Sequence, residues 1–352
     1  MWRDRSALSE YQKLIKPPGG GLLAVTTGAK IAKKTLGKHA AHVPDLAIAG
    51  KKQFTIIGVP SDCGGGICRG AAHGPIHLRA ELFKKHPKLR AHDAGDLPCI
   101  PHLLHDEMIT PEQKTRSGHS IWGESYHSHY PVSPLNLLEG LLLTFYQNYS
   151  EFRPLVLGGD HSISGAVFEA LNKADKLKNL GVLHFDAHTD LLEERFGVEH
   201  CFATWTSHAL KNFSDPSVWV QAGIRASGKT KKHWESKYGL RQDWARSLTA
   251  KSSAQYASEL IEYWKKRGVT KLYITNDIDG TDVGFAPSTG TPESGGLTPQ
   301  FVSGVIARVS ENFELIGADM MEVAPPIGAQ LAMRRTIETA VRYLEALQWP
   351  TP

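Results

Sequence analysis

Three short segments concentrate carboxylates and imidazoles: Gly158-Gly159-Asp160-His161-Ser162, His184-Phe185-Asp186-Ala187-His188-Thr189-Asp190 and Asn276-Asp277-Ile278-Asp279. Each follows a short apolar run, so the acids sit where the chain leaves a strand. In extended chain, side chains at i, i+2 and i+4 point the same way. Asp186, His188 and Asp190 then share one face, as do Asp277 and Asp279; with His161 they make six candidate metal ligands. Carboxylates gathered this closely repel one another unless cations lie between them. Four carboxylates and two imidazoles, with no cysteine required, suit borderline-hard divalent ions such as Ni²⁺ or Mn²⁺ better than a thiolate-rich zinc site would. A single DxD is often a solvated turn and a single HxD a hydrogen-bonded pair, but three such segments after three strands point to a polynuclear metal site.

Positioning these residues requires a sheet whose strands all end on one side. From residue 53 onward short apolar strands alternate with amphipathic helices, the pattern of a parallel sheet covered on both faces. Strands are expected at Phe54–Val59, Pro154–Leu157, Gly181–Phe185, Val218–Ala222, Lys271–Thr275 and Glu314–Ala318. Helices are expected at Pro75–Lys85, Ser164–Asp175, Ser253–Lys266, Pro299–Glu311 and Gly328–Leu347. The fold class is therefore a three-layer α/β/α sandwich with a mainly parallel sheet, and the acid-rich segments fall at strand carboxyl ends, where active sites of such sheets gather. The stretch Pro98–Ser133 carries five histidines before residue 130 without clear periodicity and reads as a long loop, with His127 and His129 as packing residues rather than ligands. Ser133 and Pro134 then cap and open a helix running to Tyr149. Residues 1–52 read as an N-terminal arm ahead of a catalytic domain at 53–352.

Composition excludes several other classes. With 40 Lys and Arg against 36 Asp and Glu, net charge +4, and no run of five like charges, the chain lacks the electrostatic footprint of a nucleic-acid binder. The longest apolar run, near Leu135 to Phe145, is broken by Asn136 and Glu139 and falls short of the roughly 20 residues needed to cross a bilayer. Four cysteines without a CxxC pair read as reduced thiols, consistent with a cytoplasmic enzyme. Residues 11–44 are basic and free of acids, as in an organellar transit peptide, but Asp4, Glu10 and the Pro17-Pro18-Gly19-Gly20-Gly21 turn favour an arm of the mature protein.

The segments GGDHS, HFDAHTD, NDIDGTD with STGTPESGG, and MMEVAP together resemble the signatures of the ureohydrolase family, the arginases and agmatinases. The likeness extends to Gly58-Val59-Pro60-Ser61-Asp62, His92-Asp93-Ala94-Gly95-Asp96 and Gly223-Ile224-Arg225, and so covers about residues 53 to 350. It implies a binuclear centre in which His161, Asp186, Asp190 and Asp277 hold one ion and Asp186, His188, Asp277 and Asp279 the other, with Asp186 and Asp277 bridging. Two ions sharing a water lower its pKa and stabilise the oxygen of the adduct, as the poorly electrophilic guanidinium carbon requires. The resemblance also implies that Asp190 accepts and relays the proton, that Glu322 grips the guanidinium, and that His200 shuttles protons at the pocket mouth.

Around that histidine the pattern departs from the family. Arginases carry an Asn and a Ser for the amino-acid end of arginine, and agmatinases follow the histidine with Gly-Thr; here the run is His200-Cys201-Phe202-Ala203-Thr204-Trp205. Val283 likewise stands after Asp282 where the family commonly has proline. His200, Thr204 and Trp205 are read with Glu322 as substrate-contacting positions, Phe202 and Trp205 stacking on a planar cation. These departures and the N-terminal arm resemble the nickel-dependent branch that hydrolyses guanidine, alkylguanidines or biguanides. The expectation is a small-guanidinium hydrolase with two divalent ions, Ni²⁺ favoured and Mn²⁺ the alternative, working as a homotrimer or homohexamer or beside a paralogous subunit. Agmatine or another amino-acid-derived guanidine is the alternative substrate. A catalytically silent subunit is the alternative of another class, against which the complete ligand set speaks.

Overall fold

The structure is a computed structural model and describes residues 5–21 and 53–347. Eight strands form its sheet: β1 (Thr55–Val59), β2 (Asp93–Asp96), β3 (Pro154–Gly158), β4 (Leu180–Phe185), β5 (Trp219–Ala222), β6 (Arg241–Asp243), β7 (Lys271–Asn276) and β8 (Glu314–Met320). Their order is β2-β1-β3-β8-β7-β4-β5-β6, and every neighbouring pair is parallel. All of the strands except β2 and β6 are largely apolar, because both faces are covered. One group of packed helices comprises 74–85, 253–265, 299–312 and 330–346; the other comprises 5–14, 134–148, 162–173 and 205–210. The expected three-layer sandwich is thus the observed one. Trp219, Trp264, Tyr256, Tyr273 and Phe168 are among its largest fully buried side chains.

All six expected strands form, but β2 and β6 were not expected, because Asp-Ala-Gly-Asp and Arg-Gln-Asp carry no apolar run. β2 is buried by ion pairing: Arg79, on helix Gly74–Lys85, is inaccessible, lies 2.9 Å from Asp93 Oδ1 and also pairs with Asp96. The Pro98–Ser133 stretch is also not one loop. Thr110 caps Gln113 N–H with its hydroxyl and Pro111 opens a helix to Trp122, a polar helix without a strong apolar stripe. Ser133 precedes the next helix as expected, yet its hydroxyl does not cap it; its N–H donates to Asp106 instead.

Residues 5–21 pack against the rest of the described chain. Helix Arg5–Leu14 buries Tyr11 edge-on against Trp122, ring centroids 5.5 Å apart, and Lys16 pairs antiparallel with Asp96 at the sheet edge. Residues 22–52, which hold most of the transit-like stretch, lie outside the described residues.

Candidate metal centre

The six candidate ligands and Glu322 leave the carboxyl ends of adjacent strands. His161 follows β3, Glu322 follows β8, Asp277 and Asp279 follow β7, and Asp186, His188 and Asp190 follow β4; these four strands are consecutive in the sheet. Hydrogen bonds beyond the strand ends lace the segments together: Asp277 N–H to Phe185 O (2.9 Å), Met321 N–H to Asn276 O (2.9 Å) and Glu322 N–H to Gly159 O (2.8 Å). Gly159 is required on its other side, toward the end of β1, since a Cβ there would run into the Ser61 carbonyl.

The i, i+2 spacing works through a turn rather than through extended chain. Asp186 Oδ1 accepts the His188 N–H at 2.6 Å, and Asp277 Oδ1 accepts the Asp279 N–H at 2.9 Å. Each aspartate folds the chain back at the strand end by an Asx-type bond. Asp190 and Glu322 both adopt positive φ, 52° and 60°, a conformation L side chains seldom take and one that concentrates at functional sites.

At the centre lies His161, fully buried, with Nδ1 3.2 Å from Asp186, 3.3 Å from Asp190 and 3.2 Å from Asp277. That nitrogen has no hydrogen bond of acceptable geometry, while Nε2 lies 3.0 Å from the Thr275 hydroxyl. A histidine fixed through one nitrogen and presenting the other to three carboxylates is arranged as a metal ligand. On the outer side His188 Nδ1 stands 3.0 Å from Asp279 and 3.6 Å from Asp186, and its Nε2 is 3.8 Å from Glu293. Asp279 also accepts from the Thr291 hydroxyl (2.9 Å) and the Ala187 N–H (3.1 Å).

Crowding is visible in the electrostatics. Burial, then Asp279 and Asp186, push Asp277 well up; burial and then Asp186 raise Asp190. Burial opposes charge on His188, but Asp279 and Asp186 outweigh it and raise its pKa to about 12. Without cations the cluster must therefore hold protons, and divalent ions remove that need. The donor set fits two such ions. Glu322 stands beside it: Oε1 accepts the His161 N–H at 3.0 Å, and burial with Asp277 and Asp160 nearby raises its pKa well above the usual carboxylate value.

A model of the arginase family matches residues 52–347. The chain belongs to the arginase family. A guanidinobutyrase of Pseudomonas aeruginosa is 31% identical over 293 residues, 81% of this chain and 83% of that protein. A guanidinopropionase of the same organism is 31% identical over 284 residues, 78% and 80% of the two chains. Among solved structures, the proclavaminate amidino hydrolase of Streptomyces clavuligerus superposes with a TM-score of 0.62 at 25% identity, covering 84% of this chain and 92% of that one. The arginase of Bacillus subtilis, at 21% identity and TM-score 0.65 over 86% and 99%, shares the fold. This arginase-family chain is accordingly a metal-dependent hydrolase of C–N bonds in guanidino compounds; the family's enzymes use a binuclear divalent site, and a His/Asp cluster able to hold metal is present here.

Three of the sequence-derived positions lie away from where a substrate contact needs them. Trp205 is buried behind the ligands, 4.7 Å from the His161 ring by centroid, and donates Nε1–H to Asp190 Oδ2 at 2.8 Å. It supports the site from the core rather than closing over it. Thr204 is fully buried, its hydroxyl donating to Glu199 O and accepting from Cys201 N–H. His200 stacks on His105 at 3.9 Å, with Nε2 3.4 Å from Glu107, and lines a side cavity of about 350 Å³ that none of the six ligands lines. Phe202 instead reaches the Gly64–Arg69 loop at Gly66. Sequence reasoning missed His184, whose Nε2 is 2.9 Å from Asp186, and Thr275 behind His161. It also missed Arg225, which binds the carbonyls of Gly223, Asp279, Gly280, Thr281, Glu293 and Ser294. For His184 and Thr275 a signal exists: each is a polar strand residue two positions before a strand-end aspartate.

Proposed function

We propose that this enzyme hydrolyses a small guanidinium compound, namely guanidine, an alkylguanidine or a biguanide, to a urea-type product plus ammonia or an amine. The observation that carries this reading is that the run from His200 to Trp205, which resembles the segment where arginases hold an amino-acid tail, is turned away or already engaged and leaves no polar side chain at the centre free for a substrate tail. His200 is engaged with His105 and Glu107, Thr204 with backbone, and Trp205 with Asp190. An arginine bound at the centre would find none of these side chains for its α-carboxylate and ammonium, and charge left poorly paired costs several kcal/mol.

His161, Asp186, Asp190 and Asp277 on the inner side, and Asp186, His188, Asp277 and Asp279 on the outer, would hold two ions. When bound they supply a polarised water and charge stabilisation for the adduct. Glu322 offers Oε2, the oxygen not used by the His161 N–H, to the guanidinium. Asp190, oriented by the Trp205 indole, takes the water proton and returns it to the departing nitrogen. The donor set takes Ni²⁺ or Mn²⁺; Ni²⁺ is assigned on the branch that the departures resemble. The four unpaired thiols fit a reducing, cytoplasmic setting.

The test is urea release from a guanidine panel by apoprotein loaded separately with Ni²⁺ and Mn²⁺. A small guanidine should exceed arginine in kcat/KM by roughly a hundredfold, the ratio for about 2.7 kcal/mol; arginine or agmatine as preferred substrate would sink the reading. One observation favours a second one. Arg195 is exposed over the rings of Phe202 (4.9 Å) and Phe196 (5.7 Å), with no ion-pair partner among the described residues. It suits the carboxylate of an ω-guanidino acid, the class named in the two Pseudomonas relatives. If such acids win the panel and Arg195→Gln removes that preference, the second reading replaces the first.

A further inference from the structure

A chain of buried side chains leads from the half-buried Trp244 to the inner carboxylate of the centre. Trp244 Nε1 lies 3.0 Å from Gln242 Oε1, Gln242 Nε2 lies 2.8 Å from Gln221 Oε1, and Gln221 Nε2 lies 3.2 Å from His184 Nδ1 and 2.7 Å from Thr189 O. His184 Nε2 then meets Asp186 Oδ2 at 2.9 Å. Gln242, Gln221 and His184 are each fully inaccessible.

The donor and acceptor roles along this chain are fixed from both ends. An indole nitrogen only donates, so Gln242 must present its oxygen to Trp244 and its amide nitrogen to Gln221. At the other end a backbone carbonyl only accepts, so Gln221 must present its nitrogen to Thr189, which places its oxygen toward Gln242. The two ends agree. Gln221 therefore donates to His184 Nδ1, and a neutral imidazole that accepts at Nδ1 carries its proton on Nε2. That proton can only point at Asp186 Oδ2. His184 lies within ligand distance of His161, Asp186 and Asp190, yet in this tautomer it has no lone pair to give an ion at Nε2.

We propose that His184, locked by the Gln221–Gln242–Trp244 chain, is a positioning residue that orients the Asp186 carboxylate. With the His188 N–H on Oδ1 and the His184 N–H on Oδ2, both oxygens of Asp186 are held, and the carboxylate plane is set before any ion arrives. An outer partner of this kind is worth about 10- to 100-fold in metal affinity. The inference rests on the reading of these residues as a binuclear centre.

The test uses the full chain. Ion affinities are measured by chelator competition with Co²⁺, and the His184 tautomer by ¹⁵N-histidine NMR on the Zn²⁺-loaded protein. Wild type should take two ions and show His184 protonated on Nε2 only. His184→Phe should weaken binding of at least one ion by about 10- to 100-fold, and His184→Gln, whose terminal NH₂ reaches the same place as Nε2–H, should restore most of it. Gln221→Leu leaves the imidazole in place and frees its other side; mixed tautomers and a smaller loss of affinity are expected, which keeps the test open should His184→Phe fail to fold. A protonated Nδ1 in wild type, or two ions bound with unchanged affinity in both His184→Phe and Gln221→Leu, overturns the positioning role alone. Fewer than two ions in wild type overturns the binuclear reading beneath it.

Discussion

Replacing Glu322 by glutamine changes one atom, and the structure dictates which way the new amide must face. Glu322 Oε1 accepts the buried His161 N–H at 3.0 Å, so the glutamine must keep its oxygen there or leave that donor unsatisfied at a cost of about 1–3 kcal/mol. Its NH₂ then takes the place of Oε2 and faces the N–H groups of the guanidinium, donor against donor. A charge-assisted bond of this type contributes about 1.5–3 kcal/mol. At 1.36 kcal/mol per factor of ten, losing about 2 kcal/mol lowers kcat/KM by about 30-fold, and tenfold is the least that the argument allows. Metal content should not change, because the backbone contact to His161 is retained and Glu322 is not among the six proposed ligands. The assay is steady-state urea release at saturating metal, with ion stoichiometry measured on the same preparation. An unchanged kcat/KM with two ions bound would place the guanidinium elsewhere; loss of an ion would show that Glu322 belongs to the centre itself.

Asp277→Asn replaces a shared carboxylate by a poorly donating amide, so the purified variant should carry about one ion per chain; two tightly held ions by elemental analysis with near-normal turnover would refute the bridging role. Gly159→Ala drives a Cβ into the Ser61 carbonyl and should displace the Glu322 backbone that bonds to Gly159 O, with loss of activity and a lower Tm; a wild-type Tm and kcat would show that the strand ends tolerate separation. Arg79→Met strands the buried Asp93 and Asp96 without their cation, and removing one member of a buried ion pair costs about 3–5 kcal/mol. Urea denaturation reads this directly, and a loss under about 1 kcal/mol would mean that water reaches the pair.

The sequence made the ligand segments legible because each combines a strand signal with acids just past its end. β4 and β7 are apolar runs of ordinary length, and the residues beyond them have no reason to be acidic unless something positive lies there. What stayed hidden depends on partners distant in sequence. β2 is a strand because Arg79, fourteen residues before Asp93, is buried against it, and pairing of that kind leaves no periodicity to read. Thr204 and Trp205 read as substrate contacts because they follow His200 in a loop-like run, but Trp205 opens helix Trp205–Leu210 and turns its indole to Asp190 from the core side. In His184-Phe185-Asp186 the alternation of a strand already places His184 with Asp186; the apolar context of the strand hid the polar pair within it.

The convergence of the two proposed bridging aspartates follows from the register of one strand pair. β4 and β7 are aligned so that His184 faces Thr275 and Phe185 faces Asn276, which brings Asp186 and Asp277 out of the sheet side by side. Both then use the same local device: Oδ1 takes the N–H two residues on, and Oδ2 is left 3.2 Å from His161 Nδ1. The residues paired just inside them serve the same group from behind, His184 holding Asp186 Oδ2 and Thr275 holding His161 Nε2. Side chains alternate faces along a strand, so a slip of one residue between β4 and β7 would send one member of each pair to the wrong face. The apolar positions Val182, Leu183, Leu272 and Ile274 are all buried and would be forced out of register by the same slip. Core packing and ligand geometry are thus fixed by one alignment, and a substitution that loosens the β4–β7 packing should weaken metal binding even when it touches no ligand.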